Sequence, residues 1–168
     1  MNSGSSFPVL NLHPEPADRI LDIAGLLSVL VLWSYVLMQY RSLPSTIPIH
    51  FNFHNEPDNY GSKMTLFILP VIASIIYFSF GFLIRKPHKL NHAVKITAEN
   101  AERQYKLSTR LLRYMRFAIP FSFILLCFEI FRLVHGENDD RLDFAFPVTM
   151  VLIIGAIPVY VYYARKNQ

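Results

Sequence analysis

Leu43-Pro-Ser-Thr-Ile-Pro-Ile-His-Phe-Asn-Phe-His-Asn-Glu-Pro-Asp-Asn-Tyr-Gly-Ser-Lys63 separates two long apolar runs and holds three prolines and two histidines. Ile47, Ile49, Phe51 and Phe53 alternate with Pro48, His50, Asn52 and His54. That is the period of a short extended segment with one apolar and one polar face. Asn55-Glu56-Pro57-Asp58-Asn59-Tyr60-Gly61 then reads as a tight turn, because Pro fixes φ and Asn or Gly accepts positive φ. Pro44 and Pro48 keep the segment out of a helix. The stretch is a shaped loop, and the runs beside it decide the fold.

The chain has 168 residues, 52% hydrophobic and 17% charged. Four segments approach the length of a bilayer crossing: Ile20–Tyr40, Met64–Ile84, Phe117–Val134 and Phe144–Tyr163. About 20 helical residues span the ~30 Å hydrocarbon core. These segments lack the polar face of a soluble bundle, so the expected fold is an all-α integral membrane protein with four transmembrane helices. Cys127 is the only cysteine, so one chain offers no disulfide or thiolate metal site; it reads as a small hydrophobe. The net charge of +4 sits beside membrane segments, which argues for a topology signal and against nucleic acid.

Residues 1–18 are polar and Pro-containing and read as a flexible tail, and 19–168 as a single transmembrane domain. Asp18 is the expected N-cap of the first span, and Trp33, Tyr35 and Tyr40 fall toward its far end, where aromatic rings favour the interface. Pro70 should bend the second span, and Pro158 should kink the fourth, whereas Pro147 falls in a first turn. Residues 85–116 carry Arg85, Lys86, Lys89, Lys95, Arg103, Lys106, Arg110, Arg113 and Arg116. From Val94 to Arg116 there is no Pro or Gly, and Val94, Ala98, Ala101, Tyr105, Leu107, Leu111 and Leu112 share one face at helical spacing. This predicts a basic amphipathic helix on the membrane surface, running into the third span and suited to anionic lipid headgroups. The positive-inside rule puts it in the cytoplasm with both termini (N-in/C-in), and Arg165 and Lys166 agree. Residues 41–63 and the acidic connection 135–143 (Glu137, Asp139, Asp140, Asp143 against Arg141) then face outward.

The run LP-x-x-IP-x-HFN-x-x-x-EPD-x-Y-GSK resembles the N-terminal membrane domain, of unknown function, of SdpI-type immunity proteins. In that family the loop runs LP-x-x-IP-x-HFN-x-x-G-x-PD-x-[WY]-[GS]-x-K between two transmembrane helices. The spacing matches without a gap from Leu43 to Lys63, and the likeness extends over 20–84. Asn55 stands where the family usually has Gly, and His54 where it usually has a small or neutral residue. The resemblance implies a bacterial inner-membrane protein that protects its producer from a secreted peptide toxin.

The ligand-binding or loop-structuring candidates are His50, Phe51, Asn52, Pro57, Asp58, Lys63, Glu129 and Arg132. Glu129 and Arg132 are i, i+3 neighbours and should pair. One reading makes them an interfacial pair with Arg132 snorkelling outward, the other a polar site facing the bundle interior. His50, His54 and Asp58 are residue types that hold zinc. In an extended strand, however, the two rings stand ~13 Å apart, too far for one ion. No nucleophile elbow, zincin or Walker pattern is present. The expectation is a binding protein for a peptide or envelope ligand, without a cofactor; the alternative is a membrane enzyme or metalloprotein using His50, His54, Asp58 and Glu129.

Overall fold

α1 (Pro16–Gln39) opens with Pro16 at its first position, where a missing N–H costs nothing. Glu15, not Asp18, is the N-cap; Asp18 lies one turn in, and its carboxylate accepts the Glu15 N–H at 2.9 Å. The computed structural model describes residues 8–52, 56–136 and 145–167, with 145 and 146 described in their backbone alone.

The loop after α1 is a β-hairpin, which corrects the all-α expectation. β1 (Thr46–Phe51) and β2 (Pro57–Ser62) pair antiparallel, Thr46 opposite Ser62, Ile47 opposite Gly61 and Phe51 opposite Pro57. The expected turn over 55–61 is therefore mostly strand. Its closure falls earlier, where Asn52 and Glu56 bond to each other. The ladder shifts register between Pro48 and His50 and again before Phe51. Pro48 has no N–H to give a ladder, and such an irregularity turns the next side chain over. Hence Ile47 is buried at 1% exposure while Ile49, expected on the same face, is 43% exposed. Ile49 lies over Gly61, where a Cβ would stand 2.7 Å from its Cδ1.

A 3₁₀ turn (Lys63–Phe67) leads into α2 (Ile68–Ile84). Pro70 thus falls in the first turn of α2, where it breaks no hydrogen bond, and the expected bend has no cause there. The Pro70 carbonyl accepts the Ser74 hydroxyl, whose oxygen in turn accepts the Trp33 indole N–H at 3.0 Å. Trp33 therefore joins α1 to α2.

A second 3₁₀ turn (Pro87–Lys89) and an irregular stretch precede α3 (Ala101–Val134). The helix expected from Val94 starts at Ala101 because Thr97 and Asn100 bond each other's backbone N–H. At 34 residues α3 is ~51 Å long, well beyond a hydrocarbon core, and runs unbroken through Pro120. Its basic first half continues the span as part of one helix. α4 (Ala145–Ile154) and α5 (Ala156–Lys166) are divided at Gly155, three residues before Pro158. Across the break Tyr114 Oη donates to the Leu152 carbonyl at 2.9 Å. Pro147 sits in the first turn of α4, as expected.

Among the described residues, four helical segments are long and apolar enough to cross a membrane: Pro16–Gln39, Lys63–Ile84, Ala101–Val134 and Pro147–Lys166. α1 packs mainly along α3, running in the same direction. Gly25 permits a close approach, since a Cβ there would lie 3.2 Å from the Arg116 carbonyl. Their outward faces are apolar (Ile23, Leu30, Met38, Phe78, Val151), as a lipid-facing surface requires.

Candidate functional site

Two polar regions stand out, one at each end of the bundle. At the hairpin end, Leu43, Ile47 and Leu66 enter a core with Leu32, Val36, Ala73, Cys127, Ile130 and Phe131. Tyr35 meets Phe131 edge-on at 5.1 Å. Cys127 is fully buried in that core, the place expected of a small hydrophobe. Lys63 ties the hairpin to α1: its Nζ donates to the carbonyls of Tyr40 (3.2 Å) and Leu43 (2.9 Å) and lies over the Tyr40 ring. A cation there satisfies carbonyls that a helix C-terminus leaves open.

The opposite face of the hairpin is polar and exposed. His50 Nδ1 and Asp58 Oδ1 are 2.5 Å apart across the strands. Asn52 Oδ1 accepts the Glu56 N–H at 3.0 Å and its Nδ2 donates to Glu56 Oε2 at 2.9 Å. Glu56 was not among the expected residues; its place four after Asn52 in a Pro-flanked turn was the available signal. Phe51 and Pro57 are half-buried and pair across the hairpin. Tyr60 projects outward at 58% exposure. His50 and Asp58, two of the loop-structuring candidates, thus meet each other across the hairpin.

Glu129 and Arg132 form an ion pair at 3.6 Å, and both are 8% exposed. Arg132 does not snorkel; the pair faces the interior just under the hairpin. Phe53, His54 and Asn55 and the connection 137–144, with Glu137, Asp139, Asp140, Arg141 and Asp143, lie outside the described residues. The zinc set His50, His54 and Asp58 therefore has one member outside them, and among the described residues no three His, Cys, Asp or Glu converge as a metal site.

The second region lies at the other end, where sequence reading placed a solvated or headgroup-facing basic surface. Glu15, Asp18 and Asp22 line one side of α1 and meet Lys106, Arg110, Arg113 and Arg116 of α3. Arg110 donates to Glu15 Oε2 (2.7 Å) and Asp18 Oδ1 (2.9 Å), Arg113 to Asp22 Oδ2 (3.1 Å) and Arg116 to Asp22 Oδ1 (2.8 Å). Lys106 bridges Glu15 and Glu102. Arg110, then Lys106, hold the Glu15 carboxyl below the usual carboxylate range. Three of the arginines expected at lipid headgroups are thus engaged by α1. The signal was in the spacing: carboxylates at i, i+3, i+7 at the start of one span and cations at i, i+4, i+7, i+10 leading into another.

Residues 8–15, read as tail, are also held. Leu10 and Leu12 pack on Ile96, Ala101 and Tyr105, and Tyr105 Oη donates to the Pro8 carbonyl at 3.1 Å. His92 stacks on Tyr105, and burial lowers its pKa. Gln104, wholly buried, donates from Nε2 to the carbonyls of Ala164 (2.9 Å) and Asn167 (3.0 Å), closing the last turn of α5.

A family model described as Domain of unknown function (DUF1648) matches residues 27–73, from the middle of α1 through the hairpin into α2. An uncharacterized protein of Archaeoglobus fulgidus is 26% identical over 168 residues, covering 92% of this chain and 91% of that protein. No solved structure matches the chain. The four apolar helices and the DUF1648 match together describe a multi-pass membrane protein whose family likeness centres on the hairpin end.

Proposed function

We propose that the protein resides in the plasma membrane with both termini in the cytoplasm and presents its hairpin outside the cell as a binding surface. The ligand is a peptide or another envelope component, and the consequence of binding is protection or signalling, in the manner of SdpI-type immunity proteins. One observation carries this reading: Ile47 and its neighbours lock the hairpin into the bundle core while His50, Asp58, Asn59 and Tyr60 stand exposed. A strand pair fixed from below and polar above is pre-organised to receive a partner, which lowers the entropic cost of association. The orientation is supported by Arg85, Lys86, Lys89, Lys95, Arg165 and Lys166, all at the end opposite the hairpin. The acidic residues of 137–143 favour a cationic ligand. The reading uses no cofactor and no catalytic step.

Expression in a peptide-sensitive host tests it. Tolerance to a cognate cationic peptide should rise, and Asp58→Asn, Tyr60→Ala or the pair Asp139→Asn with Asp140→Asn should reduce it. Cysteines at Ser45 and Asn138 should label with an impermeant reagent from outside, and one at Ala98 should not. Labelling at Ala98 alone would reverse the orientation. Tolerance to no peptide, combined with a turnover that depends on His50, would replace the binding reading with an enzymatic one.

A further inference from the structure

At the basic end α1, α2 and α3 enclose a crevice of about 530 Å³. Arg85, Arg113 and Arg116 line it, with Asp22, Tyr77 and Gly81. Three guanidiniums therefore face one carboxylate. Both Asp22 oxygens are occupied, one by Arg113 Nε and one by Arg116 Nη1, and each arginine keeps N–H groups beyond those bonds. Arg116 lies flat on the Tyr77 ring at 3.8 Å, and its buried Nε has no hydrogen-bond partner among the described residues. A buried, unsatisfied donor on a cation is costly unless something supplies an acceptor. Gly81 helps leave room for one: a Cβ there would stand 3.5 Å from Arg116 Nη2.

Depth narrows the choice of acceptor. From Arg116 to Val134 α3 climbs roughly 27 Å at ~1.5 Å per residue, close to the thickness of a hydrocarbon core. Arg116 therefore lies where the core meets the headgroups, the plane of the lipid phosphates. Beside the crevice Phe78 and Phe82 are 71% and 59% exposed on the lipid-facing side of α2, where an acyl chain would lie. Planar guanidinium forks match the oxygens of a phosphate better than a lone ammonium does.

We propose that this crevice binds a phosphate group, in the first place that of an anionic phospholipid headgroup entering beside α2. Arg85, at the rim, and Arg113 and Arg116, at the base, would share its oxygens, while Asp22 holds the two deeper arginines apart and oriented. The site is independent of the hairpin and of which face of the membrane it occupies.

The test uses the full chain, delipidated and held in a zwitterionic detergent, with thermal unfolding followed by Trp33 fluorescence. Short-chain phosphatidylglycerol should raise the midpoint, and short-chain phosphatidylcholine should not. In Arg85→Gln, which spares the ion pairs with α1, half-saturation should need about tenfold more phosphatidylglycerol, the effect of one lost charge-assisted hydrogen bond. Gly81→Leu, which fills the crevice, should abolish the response while circular dichroism stays unchanged. If inorganic phosphate gives the same shift, lost in the same variants, the site stands and its ligand is free phosphate. An equal response to phosphatidylcholine, or responses unaltered in Arg85→Gln, would overturn it.

Discussion

The two ends of the bundle solve the same problem with opposite materials. At the hairpin end, apolar side chains from α1, β1, the 3₁₀ turn, α2 and α3 interlock, and the charged groups Lys63, Glu129 and Arg132 are placed around that core. At the basic end α1 and α3 are joined by carboxylates and guanidiniums, several nearly buried: the side chains of Asp18, Arg113 and Arg116 are 6%, 11% and 12% exposed. A packed apolar core is sensitive to volume and indifferent to salt. A buried ion network tolerates small changes of volume and punishes removal of one charge, because the partner stays behind unpaired. The contrast separates a fixed platform from an electrostatic clasp.

Cutting a cavity into the platform should cost most. Ile47→Ala removes most of a side chain that is 1% exposed. It should lose about 2–5 kcal/mol in denaturant unfolding of the purified protein, with no dependence on salt. Asp18→Ala attacks the clasp and should lose about 3 kcal/mol, at the low end for a broken buried pair because Arg110 keeps Glu15. A compensating Arg110→Met in the same chain should recover part of that loss, which a role of the Asp18 carboxylate confined to capping the Glu15 N–H would not allow. Should the two single variants respond alike to salt, the distinction between the ends would collapse.

Acid should loosen one end before the other. Burial holds His92 below the ordinary histidine range, so the folded chain keeps it neutral where an unfolded one would take up a proton. Its contribution is full above the unfolded value of about 6.5 and is lost as pH falls from there through the depressed folded value. Amide protection factors over 87–105, referred to the intrinsic exchange rate at each pH, should therefore fall in that window while those of the hairpin hold. The smallest effect should come from His50→Gln: the His50–Asp58 pair is exposed, and its loss should cost no more than about 1 kcal/mol. A much larger loss would mean that the polar face helps to hold the platform as well as to present it.

The spans are legible in the sequence because lipid demands long uninterrupted apolar runs, and Pro16–Gln39 and Lys63–Ile84 fall close to where those runs predict. The hairpin was half legible. Alternation identified β1, but the register shift after Pro48, which put Ile49 outside, depends on what β2 offers across the ladder. The start of α3 was missed by seven residues, since the Thr97–Asn100 exchange outweighs the helix propensity of Val94 and Ala98. The ion network escaped for a different reason. Its partners are 91 to 95 residues apart, and only side-by-side parallel packing of α1 and α3 makes them neighbours. Gln104 gave no sign at all; a single amide in a polar stretch looks like solvent-exposed surface until the end of α5 arrives on it.

That arrival has a consequence for biosynthesis. Gln104 emerges from the ribosome 60 residues ahead of Ala164, whose carbonyl its amide finally meets. For the time needed to make and insert the fourth span, the amide must remain wet or borrow a temporary acceptor. Until the last turn of α5 is made, that end of the bundle holds an amide whose carbonyl partners do not yet exist.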